Sequence, residues 1–152
     1  MESLKYPFVY IAGPFFNPDQ IRVIEDIKQI LDFANVRYFS PKDECLFQPG
    51  QTTPEEILDQ NIQALKDTDL LLCVTDGKDP GTMFEAGWCY AIGIPIIYIW
   101  LDGKPGQKFN LVLAASGSVV RSMQQLRNAL AEIYTTGDFV RKNWDDQEVH
   151  YE

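Results

Sequence analysis

One carboxylate stands alone in the apolar segment DPGTMFEAGWCYAIGIPIIYIW, residues 79–100. After the opening Asp79, Glu85 is the only charged residue in the segment, and the next is Asp102. Pro80 suits the first position of a helix, which makes Asp79 the natural N-cap and places Glu85 about one and a half turns inside. An ionised carboxylate without partners is costly in apolar surroundings and is seldom kept for packing. We therefore predict a catalytic or ligand-binding role for Glu85.

A competing structural interpretation makes Thr82 the N-cap and Glu85 its capping-box partner, because Thr-x-x-Glu has the required spacing. That interpretation leaves a well-placed proline without a role. It also leaves unexplained why the residues on the same helix face as Glu85 are all apolar. These residues are Gly81, Trp88 and Ile92.

Phosphate binding by the glycines before this helix is a second alternative, because helix N-termini attract anions. The segment contains neither GxGxxG nor GxxxxGK[ST], and Asp76, Asp79 and Glu85 would repel a phosphate. The whole chain has a formal charge of −9 and no cluster of Lys and Arg. Nucleic acid and anionic membrane surfaces are therefore not expected as partners, and a small neutral or basic ligand or a protein fits better.

Strands and helices alternate around this segment. Apolar or β-branched runs predict strands at 8–13, 36–41, 69–77 and 94–100. Helical spacing and capping signals predict helices at 19–34, 53–66, 80–92 and 122–134, with loops at 42–52 and 103–109. This order predicts an α/β fold with an open parallel sheet and helices on both faces. We expect one domain over 1–152, with only a polar acidic tail from about Asp138 as a separable part.

In such sheets ligands bind beyond the carboxyl ends of the strands. That rule selects the loop from Gly13 to Asn17, the loop after Pro41, and the segment from Asp76 to Glu85.

Other features of the chain exclude several classes of protein. Cys45, Cys73 and Cys89 are odd in number and widely spaced, so neither a disulfide framework nor a zinc site is expected, and no metal is predicted. His150, the only histidine, lies in the polar tail. The N-terminus does not resemble a signal peptide, and no window reaches the roughly 18 apolar residues of a membrane helix. We expect a cytoplasmic protein.

Five segments form an ordered set over residues 8–120. They are VYIAGPFF (9–16), NIQALKDTDLLLCV (61–74), DPGTMFEAG (79–87), GIPIIYIW (93–100) and FNLVLAASG (109–117). Together they resemble the nucleoside 2-deoxyribosyltransferase family. The resemblance implies a flavodoxin-like sheet, a homo-oligomer, and transfer of 2-deoxyribose between nucleobases without a cofactor.

The same resemblance implies roles for single residues. Glu85 is expected to be the nucleophile, Tyr10 to orient its carboxylate, and Asp79 to contact the nucleobase and shuttle a proton. Asn110 is expected to reach into a neighbouring subunit's site and hold the sugar 5′-hydroxyl.

Gly13, which opens the loop after the first strand, is expected to bind the substrate. Three further assignments keep alternatives open, of which Phe15 and Phe16 either stack on the base or belong to the core. Many family members have an aspartate where this chain has Asn61, which is predicted to hydrogen-bond the base or to be only a polar residue near the helix end. In many members of the family the C-terminal residue is aromatic, and its terminal carboxylate joins the neighbouring subunit's site. This role is not assigned to Tyr151, because Glu152 follows it.

Two other functions remain possible from the sequence. A related branch hydrolyses nucleoside 5′-monophosphates, and hydrolysis of nucleosides could also accompany transfer. Asn110, with no Lys or Arg in 109–117, favours a free 5′-hydroxyl, although Ser116 and Ser118 keep the phosphate alternative open. A non-catalytic module that senses nucleosides or nucleotides would use the same pocket.

Overall fold

The structure is a computed structural model that describes residues 5–104, 106–144 and 150–151. Its helices and strands follow the chain in a largely alternating order. They are β1 Phe8–Ala12, α1 Pro18–Phe33, β2 Arg37–Phe39, α2 Pro41–Glu44, α3 Pro54–Lys66, β3 Leu70–Val74, α4 Pro80–Ala91, β4 Ile96–Ile99, β5 Lys108–Phe109, α5 Leu111–Ser116, β6 Ser118–Val120, α6 Met123–Thr136 and β7 His150–Tyr151.

Five strands form one parallel sheet in the order β2-β1-β3-β4-β6. The register places Tyr10 of β1 beside Leu71 of β3, and Leu72 of β3 beside Ile97 of β4. Strands β1, β3 and β4 occupy the centre, where both faces are covered, which explains their nearly continuous apolar sequences. This strand order is the flavodoxin-like one, so the predicted fold class is confirmed.

Alternate residues of the strands serve two separate cores. Val9 and Ile11 of β1 point to the side covered by α1 and α6. Tyr10 and Ala12 point to the other side, where they pack with residues of α3, α4 and α5. Helices therefore lie on both faces, and the side chain of Tyr10 enters the same layer as α4.

The predicted helix starts are confirmed by their caps. Thr53 accepts from the backbone N–H of Glu56, and the Glu56 carboxylate accepts from the backbone N–H of Thr53, which completes the predicted capping box. Asp79 caps α4, with Pro80 at the first helical position. The Thr82 cap is therefore wrong, since the backbone N–H of Thr82 is itself capped by Asp79.

Short elements escaped prediction. The loop expected at 42–52 begins within the single turn α2. Two ion pairs join α2 to α1, one between Lys28 and Asp43 and the other between Lys42 and Glu25. The segment 103–121 contains β5, α5 and β6, of which β6 is the fifth strand of the sheet. A second parallel pair joins β5 to β7. These elements have two to six residues and are too short for a periodic pattern.

The first part of the expected tail is attached to the sheet. Lys142 donates its backbone N–H to the side chain of Ser118, and Trp144 donates to the carbonyl of Val119. The separable tail is therefore wrong for residues 138–144, and residues 145–149 lie outside the described part of the chain. No helix among the described residues combines the length and apolar character that crossing a membrane requires.

Candidate active site

The Glu85 carboxylate is buried in the layer that α3 and α4 form over the sheet. Its side chain is 9% exposed and borders a cavity of about 390 Å³. The predicted apolar surroundings of Glu85 are therefore confirmed. Part of α4 is not covered within one chain, because Phe84 and Tyr90 of α4 and Ile92 at its end are each more than half exposed.

Asp79 positions the first turn of α4. Its carboxylate accepts from the backbone N–H of Thr82 at 2.9 Å and from the Thr82 hydroxyl at 2.8 Å. This double contact fixes the start of the helix, and with it the position of Glu85 along the helix axis. Asp79 is also close enough to Glu85 for its negative charge to raise the pKa of the Glu85 carboxyl.

The Tyr10 hydroxyl and the Glu85 carboxylate face each other and influence each other's titration. Burial raises the pKa of Glu85 to about 7, while the Tyr10 hydroxyl opposes this rise by stabilising the charged form. Burial, together with the charge of Glu85, raises the pKa of Tyr10. At neutral pH the tyrosine is therefore a hydrogen-bond donor, and Glu85 exchanges readily between its two protonation states.

Three buried polar atoms at this place have no hydrogen-bond partner among the described residues. They are Tyr10 Oη, Asn61 Oδ1 and Glu85 Oε2. Glu85 and Asn61 line the same cavity, and Tyr10 faces Glu85. Leaving a buried polar atom unsatisfied is costly, so native proteins rarely do it without a reason. Their coincidence at one cavity indicates a place prepared for a polar ligand.

Three thiols lie near enough to Glu85 for its charge to act on them. Burial first and the charge of Glu85 next raise the pKa of Cys73 and Cys89, that of Cys89 to about 12. Cys45 is shifted in the same direction by burial and by nearby carboxylates. The protonated thiols are poor nucleophiles. At neutral pH these buried thiols are therefore poorly suited to nucleophilic attack.

The remaining lining of the cavity is apolar. It comes from the loop before α3, from α3 and from the first turns of α4, and consists of Phe47, Pro54, Ile57, Leu58, Ile62, Leu65, Gly81 and Phe84. Sequence reasoning assigned none of Phe47, Leu58 and Phe84 to the site. Leu58 lies three residues before Asn61, so helical spacing alone could have placed it on the same face. Phe47 lacked such a signal, because only tertiary folding brings its loop to α3.

Asn110 lies elsewhere in the chain. It is the N-cap of α5, where its Oδ1 accepts from the backbone N–H groups of Val112 and Leu113 at 3.0 and 3.1 Å. It lines a second crevice and not the Glu85 cavity. One chain therefore does not bring Asn110 to its own Glu85 cavity.

The residues after β1 also remain outside the cavity lining. Phe15 and Phe16 stack on each other with ring centroids 5.6 Å apart, and Phe16 is 74% exposed, so the core interpretation of Phe16 is wrong. A side chain at Gly13 would meet the Val74 Cβ at 3.0 Å and Ile24 at 3.2 Å. Gly13 is thus required for close packing of β1 on the α1 side of the sheet.

A metal does not fit the described side chains. Among residues 5–104, 106–144 and 150–151, no group of three or more His, Cys, Asp or Glu side chains is placed to hold an ion.

Comparison with known proteins identifies the family of the chain. The profile of the family described as nucleoside 2-deoxyribosyltransferase matches residues 9–130. An uncharacterised protein of Schizosaccharomyces pombe is 31% identical over 117 residues, which cover 66% of this chain and 53% of that protein. The chain thus spans about half the length of the curated relative that it matches.

Solved structures share the fold. A conserved protein from Enterococcus faecalis has a TM-score of 0.72 and 21% identity, covering 84% of this chain and 98% of its own. A 2-deoxyribosyltransferase from Bacillus psychrosaccharolyticus has a TM-score of 0.66 and 22% identity over 80% and 90%. A CMP N-glycosidase from Clostridium botulinum has a TM-score of 0.61 and 16% identity over 82% and 98%. The chain belongs to the nucleoside 2-deoxyribosyltransferase family, whose enzymes act on N-glycosidic bonds.

Proposed function

We propose that the protein transfers 2-deoxyribose from one nucleobase to another through a covalent intermediate on Glu85. The observation that carries the proposal is the buried Glu85 carboxylate, which has an unsatisfied oxygen and faces a tyrosine hydroxyl. Its near-neutral pKa keeps a nucleophilic carboxylate available at neutral pH. The mainly apolar cavity beside it suits a flat nucleobase.

In the first step the ionised Glu85 attacks C1′ of the deoxyribose. A bond forms between a carboxylate oxygen and C1′, the C1′–N bond breaks, and its electron pair leaves with the base. The transition state resembles an oxocarbenium ion, which the negative carboxylate stabilises. In the second step a nitrogen of the incoming base attacks C1′ from the vacated face, and the electron pair of the ester bond returns to Glu85. The two displacements together restore the configuration at C1′.

The neighbouring residues would assist these steps. In this proposal the Tyr10 hydroxyl, which has no hydrogen-bond partner among the described residues, donates to the ionised Glu85 carboxylate during the reaction and sets its direction of attack. The Asn61 amide would hydrogen-bond the base, since its oxygen is buried and unsatisfied. A leaving base accepts a proton as its bond breaks, and the incoming base loses one. The Asn61 amide is too weak an acid and too weak a base for proton transfer at neutral pH, so we assign this transfer to Asp79.

Hydrolysis is the competing outcome at the same intermediate. If water attacks C1′ in place of a second base, the products are free base and deoxyribose. The activity named for the Clostridium botulinum relative, which is a CMP N-glycosidase, makes this the second candidate function. The apolar cavity favours transfer, because it leaves few groups to hold a water molecule at C1′.

We also propose that a second copy of the chain completes the site. Asn110 lines a crevice separate from its own chain's Glu85 cavity, so a role beside a sugar bound to Glu85 requires a neighbour. The exposed apolar side chains of α4, which include Phe84, Tyr90 and Ile92, offer the kind of surface that homo-oligomers bury.

Product analysis separates these functions. The protein is incubated with 2′-deoxyinosine or thymidine, with and without adenine, and the products are separated by chromatography. Transfer predicts 2′-deoxyadenosine, which should fall by at least about 1000-fold in Glu85→Ala, as expected when a nucleophile is removed. A matched control, Asp26→Ala on α1 at the opposite face of the sheet, should keep full activity.

Each outcome of this assay has a defined meaning. Free base without a new nucleoside would replace transfer by hydrolysis. A Glu85→Gln variant that binds nucleosides as the native protein does, combined with no turnover of nucleosides or nucleotides by the native protein, would establish a non-catalytic module instead.

A further inference from the structure

A second crevice opens at the same edge of the sheet as the Glu85 cavity, at the carboxyl ends of β3 and β4. It has a volume of about 510 Å³, within the size range of small-molecule sites. On α4, Met83 lines this crevice, while Phe84 and Glu85 line the other cavity. The two spaces thus share the beginning of one helix.

Among the residues that the structure describes, the charged side chains lining the crevice are both cationic. They are Lys78, in the turn after β3, and Lys108, in β5. Both are exposed, and neither forms an ion pair or a side-chain hydrogen bond with a described residue. Within the described part of the chain, the crevice therefore presents two positive charges to a ligand.

The two side-chain amides of the crevice also act as donors. The Gln107 Oε1 accepts from the backbone N–H of Lys104 at 2.9 Å. The Asn110 Oδ1 is engaged in capping α5. Each amide also has an NH₂ group for which the structure describes no partner, and that group can donate to a ligand. Two ammonium groups and two NH₂ groups can therefore donate to a ligand that has several acceptor oxygens.

The nearest carboxylates along the chain do not cancel this charge within the crevice. Asp76 accepts from the backbone N–H groups of Leu101 and Asp102. Asp79 accepts from Thr82. Neither aspartate lines the crevice.

The backbone holds Lys78 in an uncommon conformation. Its φ is +49°, and it follows Gly77 with φ +85°. Its backbone N–H donates to the Thr75 carbonyl and closes a tight turn. A residue with a side chain in the left-handed region costs conformational energy, and such residues concentrate at functional sites.

We propose that this crevice binds a phosphate monoester, with Lys78 and Lys108 as the cationic contacts and Gln107 and Asn110 as neutral donors. The inference rests on the proposed function for its choice of ligand, because the phosphate that an enzyme of N-glycosidic bonds meets most directly is the 5′-phosphate of a nucleotide. It revises the expectation of a free 5′-hydroxyl beside Asn110. That expectation considered only residues 109–117 and so excluded Lys108.

The test compares binding of 2′-deoxyadenosine 5′-monophosphate, 2′-deoxyadenosine and inorganic phosphate by isothermal titration calorimetry. Measurements in a Glu85→Gln background prevent turnover, so the result does not depend on the proposed reaction. We expect the monophosphate to bind at least about tenfold more tightly than the nucleoside, as charged hydrogen bonds contribute. Lys78→Ala and Lys108→Ala should each remove most of this difference. Lys66→Ala, which removes an exposed lysine outside the crevice, should leave it unchanged.

Equal affinity for nucleotide and nucleoside, or a preference that survives both crevice variants, would overturn the proposal. Turnover in the otherwise native protein then identifies the source of the phosphate. If the lysine variants lose kcat/KM for the monophosphate and not for the nucleoside, the phosphate bound in the crevice is the 5′-phosphate of the substrate. If the lysine variants no longer bind the monophosphate at the crevice but turn over the nucleotide and the nucleoside at the native rate, the phosphate in the crevice belongs to a separate ligand. Lysine-dependent binding without any turnover would support the crevice and contradict the proposed reaction.

Discussion

Glu85, the proposed nucleophile, carries a cost to the stability of the folded state. Burial raises its pKa from an ordinary 4.5 to about 7. Between these two values the folded protein binds more protons than the unfolded chain, so stability falls as the pH rises. Above pH 7 the buried charge is fully present, and below pH 4.5 both states carry a neutral carboxyl. The Glu85 carboxylate, the proposed nucleophile, thus destabilises the folded state most above pH 7, where it is ionised.

This titration predicts a stabilising substitution. Glu85→Gln replaces the carboxylate by a neutral group of nearly the same shape, so it should raise the free energy of unfolding at pH 8 by up to about 3 kcal/mol. The difference should shrink towards zero at pH 4.5. Urea denaturation at both pH values measures it, with Glu55→Gln, an exposed carboxylate in the first turn of α3, as the control. Equal stability of native and Glu85→Gln proteins at pH 8 would contradict the buried, ionised carboxylate.

Residue types alone identified Glu85, because a single charge in an apolar helix is unusual. The roles of Tyr10 and Asn61 came from resemblance, since a tyrosine in a strand and an asparagine in a helix are common. The cationic crevice was missed because Lys78 and Lys108 are distant along the chain, and only the parallel order of β3 and β4 brings them to one edge. The burial of Glu85 was therefore predictable from the sequence, whereas a crevice lined by residues from distant parts of the chain was not.

At the scale of elements, the predicted parts are those with long patterns. Strands β1, β3 and β4 are buried on both faces and read as apolar runs, and the longer helices begin with caps that the sequence displays. Strand β6 has only three residues, and β5 and β7 have two each. Such strands exist because a neighbouring strand supplies their hydrogen bonds, which no local pattern records.

Gly117 shows how tightly one of these short elements is packed. It joins α5 to β6, and a Cβ at this position would lie 2.5 Å from the Ile96 carbonyl oxygen and 2.9 Å from the Tyr98 ring. We expect Gly117→Ala to lower the free energy of unfolding by about 2–3 kcal/mol, because the backbone of β4 cannot yield easily.

A second glycine provides the control for this prediction. Gly50 has φ +79° and nothing near its missing Cβ, so Gly50→Ala should cost only the left-handed strain of about 1 kcal/mol. Thermal or urea unfolding of both variants measures the comparison. If Gly117→Ala lowers the free energy of unfolding by less than Gly50→Ala does, α5 and β6 can move away from β4 at little cost, which would contradict the prediction.

At the scale of the whole molecule, an assembly that shares its sites can be tested by mixing inactive variants. Glu85→Ala lacks the nucleophile. Asn110→Asp keeps an N-cap for α5 but replaces the amide donors by a carboxylate. If Asn110 acts on the neighbour's site, a mixed dimer contains one site with both native residues. Unfolding and reassembling the two variants together should then restore about a quarter of native activity by random pairing.

Sedimentation of each variant should accompany this assay, because both must assemble as the native protein does. Activity that stays at the level of the separate variants, in mixtures shown to contain mixed oligomers, would mean that each chain completes its own site. In that case the crevice at Asn110 has no part in the neighbour's reaction.

The three buried thiols around Glu85 carry a consequence of another kind. Because burial keeps Cys45, Cys73 and Cys89 protonated, a reagent that attacks thiolates finds none while the layer of α3 and α4 stays closed over the sheet. Modification of these cysteines then requires the layer to open, so its rate counts opening events. The rate of cysteine modification therefore measures how often the layer of α3 and α4 opens over Glu85.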